Sequence, residues 1–164
     1  MSEGRRVAYI NARVLDPASG FDGPGQVLTA GGRIADVGPK LFDGSIPEDV
    51  SVIDCEGDCL SPGLIDMRVF VGEPGQEHKD TFASASQSAA AGGITTFVTM
   101  PDTDPVVDDI ALVQYVARRA RETAVVNVLP MGAATKGMKG AEMTELGMMS
   151  ASALAKASFS SSRP

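Results

Sequence analysis

The stretch that decides the fold is Lys79-Asp80-Thr81-Phe82-Ala83-Ser84-Ala85-Ser86-Gln87-Ser88-Ala89-Ala90-Ala91-Gly92-Gly93-Ile94-Thr95-Thr96-Phe97-Val98-Thr99-Met100. Lys79 to Ala91 is rich in Ala, Ser and Gln, which is helical in character, and Gly92-Gly93 supplies the stop. Ile94 to Met100 is a β-branched run that reads as a buried strand. The same alternation extends on both sides. Leu64 to Val71 reads as a strand before the helix. Pro105 to Arg121 reads as a second helix with Ile110, Val113 and Ala117 on one stripe. Arg118, Arg119 and Arg121 stand near its C-terminal end, where cations suit the helix dipole. Ala124 to Pro130 reads as a third strand. Strands alternating with helices imply parallel βαβ units, and three βα units span residues 61–149.

Residues 1–60 have another texture. Val7–Leu15, Gln26–Ala30, Arg33–Val37 and Ser51–Cys55 read as short strands. The turns between them are Asp16-Pro17-Ala18-Ser19-Gly20, Gly31-Gly32, Gly38-Pro39 and Glu56-Gly57-Asp58. This predicts a small antiparallel β layer, a β-sandwich-like N-terminal portion. At the other end, residues 150–164 are mainly Ser and Ala and show no strand pattern. Such a tail is expected to be disordered.

Composition narrows the function. A hydrophobic share of 43% with 21% charged residues is that of a globular protein. A net charge of −7, with no run of Lys or Arg, argues against a nucleic-acid partner. No apolar stretch approaches the roughly 18 residues of a membrane span. The basic Arg5-Arg6 is not followed by the apolar region of a secretory signal, so a cytoplasmic location is expected. Cys55 and Cys59 are the only cysteines, spaced C-x3-C, and His78 is the only histidine. They read as two reduced thiols near a strand rather than as a metal site.

Three segments together are specific. They are Asn11-Ala12-Arg13-Val14-Leu15-Asp16-Pro17 with Gly32-Arg33-Ile34; Ser61-Pro62-Gly63-Leu64-Ile65-Asp66 continuing to Glu73-Pro74-Gly75-Gln76-Glu77; and Ala90-Ala91-Gly92-Gly93-Ile94-Thr95-Thr96 leading into Met100-Pro101-Asp102-Thr103. In that order and spacing they resemble bacterial dihydroorotases of the amidohydrolase superfamily. Gly132-Ala133-Ala134-Thr135-Lys136-Gly137 is similar to the stretch after that family's third barrel strand. The resemblance runs from residue 7 to about residue 149. It implies an α/β fold, a (β/α)8 TIM-type barrel present here only in its first part. A full barrel takes about 250 residues.

The activity the resemblance implies is the reversible closure of carbamoyl-aspartate to dihydroorotate in pyrimidine biosynthesis, a cyclic amide hydrolase reaction. Zinc polarises the ring carbonyl and supplies hydroxide. The family's first strand ends Asp-x-His-x-His-x-Arg-Glu-Pro-Gly, its two histidines holding metal and its arginine the substrate carboxylate. An asparagine of a Met-Pro-Asn-Thr segment assists. Here the run is Asp66-Met67-Arg68-Val69-Phe70-Val71-Gly72-Glu73-Pro74-Gly75. Arg68 and Phe70 stand at the histidine positions, Gly72 at the arginine position and Asp102 at the asparagine position. Arg68, Phe70, Gly72 and Asp102 are therefore degenerate family positions, and Asp66, where the family aspartate is kept, is counted with this degenerate set. No catalytic residue, metal ligand or cofactor is expected. By strand alternation Asp66 shares a face with Arg68, and Asp102 is the preferred partner for the Arg68 guanidinium, unless the open side of the barrel leaves Arg68 wet.

The remaining candidates have plain readings. His78 is a solvent-exposed or capping residue. Lys136 and Lys139 are surface loop lysines. Asp104, Asp108 and Asp109 cap a helix N-terminus. The methionines fill core space. Open strand edges on an incomplete barrel call for a partner or a homo-oligomer. Some bacteria pair an inactive dihydroorotase homologue with aspartate transcarbamoylase, and the substituted positions resemble that inactive kind. The rival expectations are an active cyclic amidohydrolase and a decayed, truncated product without function; the abrupt tail reflects either a reading frame that shifted near Ser150 or a naturally shortened protein. Translation of the downstream nucleotide sequence in all three frames separates these two origins of the tail.

Overall fold

The computed structural model describes residues 5–42 and 44–151. The chain divides into two compact units, Met1–Pro62 and Gly63–Pro164.

The first unit carries β1 (Arg6–Asp16), β2 (Phe21–Ala30), β3 (Arg33–Gly38), β4 (Val50–Asp54) and β5 (Cys59–Leu60). They form one sheet in the order β3-β2-β1-β4, with β5 also paired to β1. β1, β2 and β3 are joined antiparallel by tight turns, and Gly31-Gly32 takes positive φ at both positions, as a two-residue hairpin requires. The expectation of an antiparallel layer is corrected beyond this point, because β4 and β5 run parallel to β1. The reason lies in residues 39–49, a connection long enough to carry the chain back across the sheet, which a parallel neighbour requires. Ala12, Val14 and Val27 form this unit's buried cluster, with Tyr9, Cys55 and Leu60 against it.

Within β1 the register shifts between Tyr9 and Ala12, and Asn11 adopts φ 54°. Asparagine tolerates this left-handed conformation better than most residues. Its side chain donates to both Asp54 carboxylate oxygens, at 3.0 and 2.9 Å, and its carbonyl accepts from Gly57 N at 2.8 Å. The bulge is thereby tied to the turn after β4. The Glu56 amide, and then the Asn11 side chain, hold the Asp54 carboxyl below the ordinary carboxylate range.

The second unit is the expected alternation. Strands β6 (Leu64–Val69), β7 (Ile94–Thr99) and β8 (Asn127–Pro130) form a parallel sheet in that order. Helices α1 (Phe82–Ala91) and α2 (Ile110–Thr123) connect them. Beyond β8 come a short 3₁₀ turn, Lys136–Met138, and helical residues 146–151. Of the Ser/Ala-rich tail, Ser150 and Ala151 are helical, and residues 152–164 lie outside the described residues.

Both helices begin later than their composition predicts, and each start has a cap. Thr81 accepts from Ser84 N, and Ser84 Oγ accepts from Thr81 N, a reciprocal capping box. Asp109 accepts from Leu112 N at 2.8 Å. Residues 105–108 stay outside α2, and the Val107 carbonyl there accepts from Ala133 N at 2.8 Å. The α2 residues Val113, Val116, Ala117 and Ala120 are buried, the i, i+3, i+4, i+7 stripe of a helix lying on a sheet. Val113, Val116 and Ala120 meet Val71, Phe82, Phe97 and Val107 in one core. Fully burying a side chain the size of Phe82 or Phe97 is worth about 1.5–3 kcal/mol.

One buried carboxylate ties this unit together. Glu73 is 3% exposed. Its Oε2 accepts from Phe82 N, the first amide of α1, at 2.9 Å, and its Oε1 pairs with Arg119 Nε of α2 at 2.5 Å. Arg119, read from sequence as a complement to the α2 dipole, instead has this specific partner. The carboxylate holds the Arg119 pKa above its ordinary value.

Glu73→Ala is expected to lower unfolding stability by about 2–3 kcal/mol in urea titration. The loss stays at the lower end for a buried pair because Arg119 is partly exposed and can rehydrate. Glu73→Gln is expected to lose less, since its amide oxygen still accepts from Phe82 N. A loss under about 0.5 kcal/mol for the alanine variant would contradict this role. In the first unit the sign of the pH effect follows from Asp54. Its folded-state pKa is depressed, so its contribution is complete above the ordinary value of 3.8 and disappears as pH falls through the depressed value. Asp54→Asn is expected to make the loss of stability below about pH 4 shallower in acid unfolding followed by circular dichroism.

Candidate functional site

In parallel α/β sheets ligands sit beyond the carboxyl ends of the strands. Here those ends lie side by side: Met100 N donates to Val69 O at 2.9 Å, and Met131 N donates to Thr99 O at 3.1 Å. The segments leaving them are 70–80 after β6, 100–109 after β7 and 131–145 after β8.

β6 is not a regular strand. Asp66 is opposite Phe97 and Val69 is opposite Thr99, so Met67 and Arg68 together face Val98. This is a β-bulge, in which one extra residue reverses the alternation. Asp66 Oδ1 accepts from Arg68 N at 2.9 Å across it. The expectation that Asp66 and Arg68 share a face is therefore overturned. Asp66 lies on the helix side, lining a cavity of about 280 Å³ with Asp80, Ala85, Ser88 and Phe97. Val69 and Val71 pack with the helical core, while Arg68 and Phe70 between and beside them are exposed, Phe70 by 44%.

The pairing of Arg68 with Asp102 does not occur. Among the described residues the ion pairs are Arg6–Asp49, Arg13–Asp22 and Arg119–Glu73. Arg68 is solvated instead, so its guanidinium meets no desolvation cost that a carboxylate would have to offset. Asp102 is exposed in the segment after β7. Gly72 is buried in the turn after β6.

That turn is built largely from backbone contacts. Gln76 N donates to Gly72 O at 2.6 Å, and Glu77 Oε1 accepts from Gly75 N at 2.9 Å. The latter bond is the main cause of a lowered Glu77 pKa. His78 is exposed in the turn ahead of α1 rather than at its start. Lys136 reaches the Asp108 carbonyl at 3.4 Å, and Asp108 Oδ2 accepts from Gly137 N at 2.7 Å, so Asp108 fastens the third segment rather than capping α2.

The donor chemistry can be tested against the zinc centre that the resemblance implies. Zinc takes lone pairs from imidazole, thiolate or carboxylate. A guanidinium offers none, and a phenyl ring has no donor atom. Among the described residues no group of three or more His, Cys, Asp or Glu side chains is placed to hold a metal ion. The residues at 68 and 70 do not fit that group. The fold also shows two features that sequence reading passed over as mere frame: Glu73 as a tie between helices, and glycines 72 and 75 as points of backbone contact. The signal was the Glu-Pro-Gly run directly after a strand.

Residues 57–160 match the family model for dihydro-orotase-like proteins. The chain belongs to this family. This dihydro-orotase-like chain is 49% identical over 124 residues to a dihydroorotase of Wolbachia sp. subsp. Brugia malayi, covering 75% of this chain and 28% of that one. It is 51% identical over 123 residues to a dihydroorotase of Ehrlichia chaffeensis, with 74% and 28% covered. It thus spans less than a third of the length of the curated relatives it matches. Among solved structures it is similar to the L-hydantoinase (dihydropyrimidinase) from Arthrobacter aurescens, with a TM-score of 0.70 and 25% identity over 79% of this chain and 28% of that one. A D-hydantoinase at 23% identity and a TM-score of 0.66 supports the fold alone. No helix among the described residues is long and apolar enough to cross a membrane.

Proposed function

We propose that this chain is a non-catalytic dihydroorotase-like protein of pyrimidine biosynthesis, whose three-stranded parallel sheet is the first arc of a TIM-type barrel. On this reading it serves as a structural companion of aspartate transcarbamoylase. The observation that carries the reading is at the end of β6, where Arg68 and Phe70 occupy the positions of the family's two metal-holding histidines and neither side chain can donate to a metal. Gly72 leaves no cation for a substrate carboxylate there, and Asp102 adds a negative charge where a dicarboxylate would arrive. Like charge at that point weakens binding of such a substrate.

The second reading is a cyclic amide hydrolase acting on carbon–nitrogen bonds. Identity near one half to two dihydroorotases favours it. Both readings meet in one experiment. The purified chain is expected to hold no stoichiometric zinc by elemental analysis, to leave dihydroorotate uncleaved, and to co-purify with an aspartate transcarbamoylase subunit when the two are co-expressed. Zinc near one per chain with measurable cleavage would establish the hydrolase instead, and a chain that is soluble alone with no effect on the transcarbamoylase would remove the companion role. The double variant Arg68→His, Phe70→His is also expected to remain inactive in the 164-residue chain. Two imidazoles supply only part of a zinc shell. Turnover by this variant would show that the other ligands lie within these residues.

A further inference from the structure

We infer that the face of the β6–β8 sheet turned away from α1 and α2 docks a second copy of this chain about a two-fold axis, with Arg68 of each copy meeting Asp102 of the other. The inference does not depend on whether the chain is catalytic. Strand register fixes which residues share that face. Ile65 is opposite Thr96, Met67 and Arg68 are together opposite Val98, and Val98 is opposite Leu129. The residues between them, Asp66, Val69, Phe97 and Val128, turn toward the helices. Phe70 follows Val69 on the side away from the core. Ile65 is 63% exposed, Met67 65%, Phe70 44% and Leu129 37%.

These four side chains leave roughly 400 Å² of apolar surface in solvent, at about 200 Å² for a whole side chain of this size. A contiguous patch of that extent on a folded chain is often a contact site. A standard interface buries about 800 Å² on each partner, a little over half of it apolar. One such face therefore carries the apolar share that each half of a two-fold interface needs. Charge selects a second copy as the occupant. Chains of net charge −7 repel one another, yet this face presents a cation, Arg68, that no carboxylate among the described residues engages. Asp102 follows the end of the neighbouring strand β7, exposed and also outside those ion pairs. In an isologous contact residue i meets residue j and j meets i, so one cation and one anion per face suffice for two pairs. An axis parallel to the strands, between β6 and β7, lays β6 of one copy over β7 of the other and keeps the carboxyl ends together. That arrangement brings each Arg68 to Asp102 of the other copy, with the apolar side chains between the two sheets.

The test is sedimentation velocity of the 164-residue chain over a concentration series, with Met67→Asp, Arg68→Asp and the double variant Arg68→Asp, Asp102→Arg beside wild type. All three positions are exposed, so far-UV circular dichroism is expected to match wild type in each variant. Wild type is expected to reach a species of twice the 17.0 kDa chain mass and to stop there, because a two-fold contact closes on itself. Met67→Asp is expected to weaken the dimer at least about tenfold, since it places an unpaired charge within the apolar contact. Arg68→Asp is expected to weaken it too, and adding Asp102→Arg to recover most of that loss, because the pair is rebuilt with its charges exchanged. A wild-type chain that stays monomeric throughout the series would overturn the inference, whether residues 152–164 or another protein occupies the face. Open-ended aggregates in place of a dimer would overturn the two-fold contact. A dimer indifferent to Met67→Asp would place the interface elsewhere, and an exchanged pair that recovers nothing would overturn the meeting of Arg68 with Asp102.

Discussion

The βα unit depends on the Glu73 carboxylate more than on any other polar group. Burying a carboxylate costs several kcal/mol unless charge and hydrogen bonds compensate it. Glu73 obtains both, from the first amide of α1 and from the Arg119 guanidinium. The α1 amide would otherwise be one of the orphan donors of a helix start, and the carboxylate also sits favourably at the positive end of the helix dipole. One side chain in the turn after β6 thereby fixes where α1 begins and which way α2 faces. The apolar core of Val71, Phe82, Phe97, Val113 and Val116 supplies the larger energy but no such direction. Hydrophobic burial is indifferent to small rotations of a helix, whereas two directed bonds on one carboxylate are not.

The bulge in β6 sets the second constraint. Without the extra residue at Met67 and Arg68, strand alternation would put Asp66 and Arg68 on the same face. With it, Asp66 turns toward α1 and Arg68 stands in solvent. The local bond from Arg68 N to Asp66 Oδ1 gives the bulge a partner within the strand itself. The exposed face of the three-stranded sheet also carries apolar side chains: Ile65 is 63% exposed, Met67 65% and Phe70 44%. A solvated guanidinium among them is compatible with exposure in a way that it would not be with burial.

The alternation of strands and helices was legible because apolar period and glycine stops act locally. Gly92-Gly93 ends α1 where the sequence says, and the β-branched run Ile94–Thr99 is β7. Helix starts were less legible. The Thr81 box uses Ser84 in place of the usual Glu or Gln, and residues 105–108 leave the helical pattern to hold Ala133. The direction of β4 was invisible because residues 39–49 have a length but no marked path. The Arg119–Glu73 pair joins residues far apart in the chain, and nothing local points from one to the other. The bulge escaped for a related reason: an alternating pattern carries no mark of the residue that breaks it.

The residues that carry the family resemblance and the residues that depart from it have different physical employment. Glu73 ties two helices, Gly75 admits the Asp104 carbonyl, and Gly92 ends α1. Each of these has a folding task whose loss costs stability directly. Arg68, Phe70 and Asp102 are exposed, and no ion pair engages either charged group among the described residues. Exchanging such positions changes what the strand ends can bind while leaving the core and its ties untouched, since exposed substitutions away from packed or bonded features change stability little. Gly72 stands apart from both groups. It is buried in the turn after β6, and its carbonyl accepts from Gln76 N, so a change at this position meets packed backbone rather than solvent.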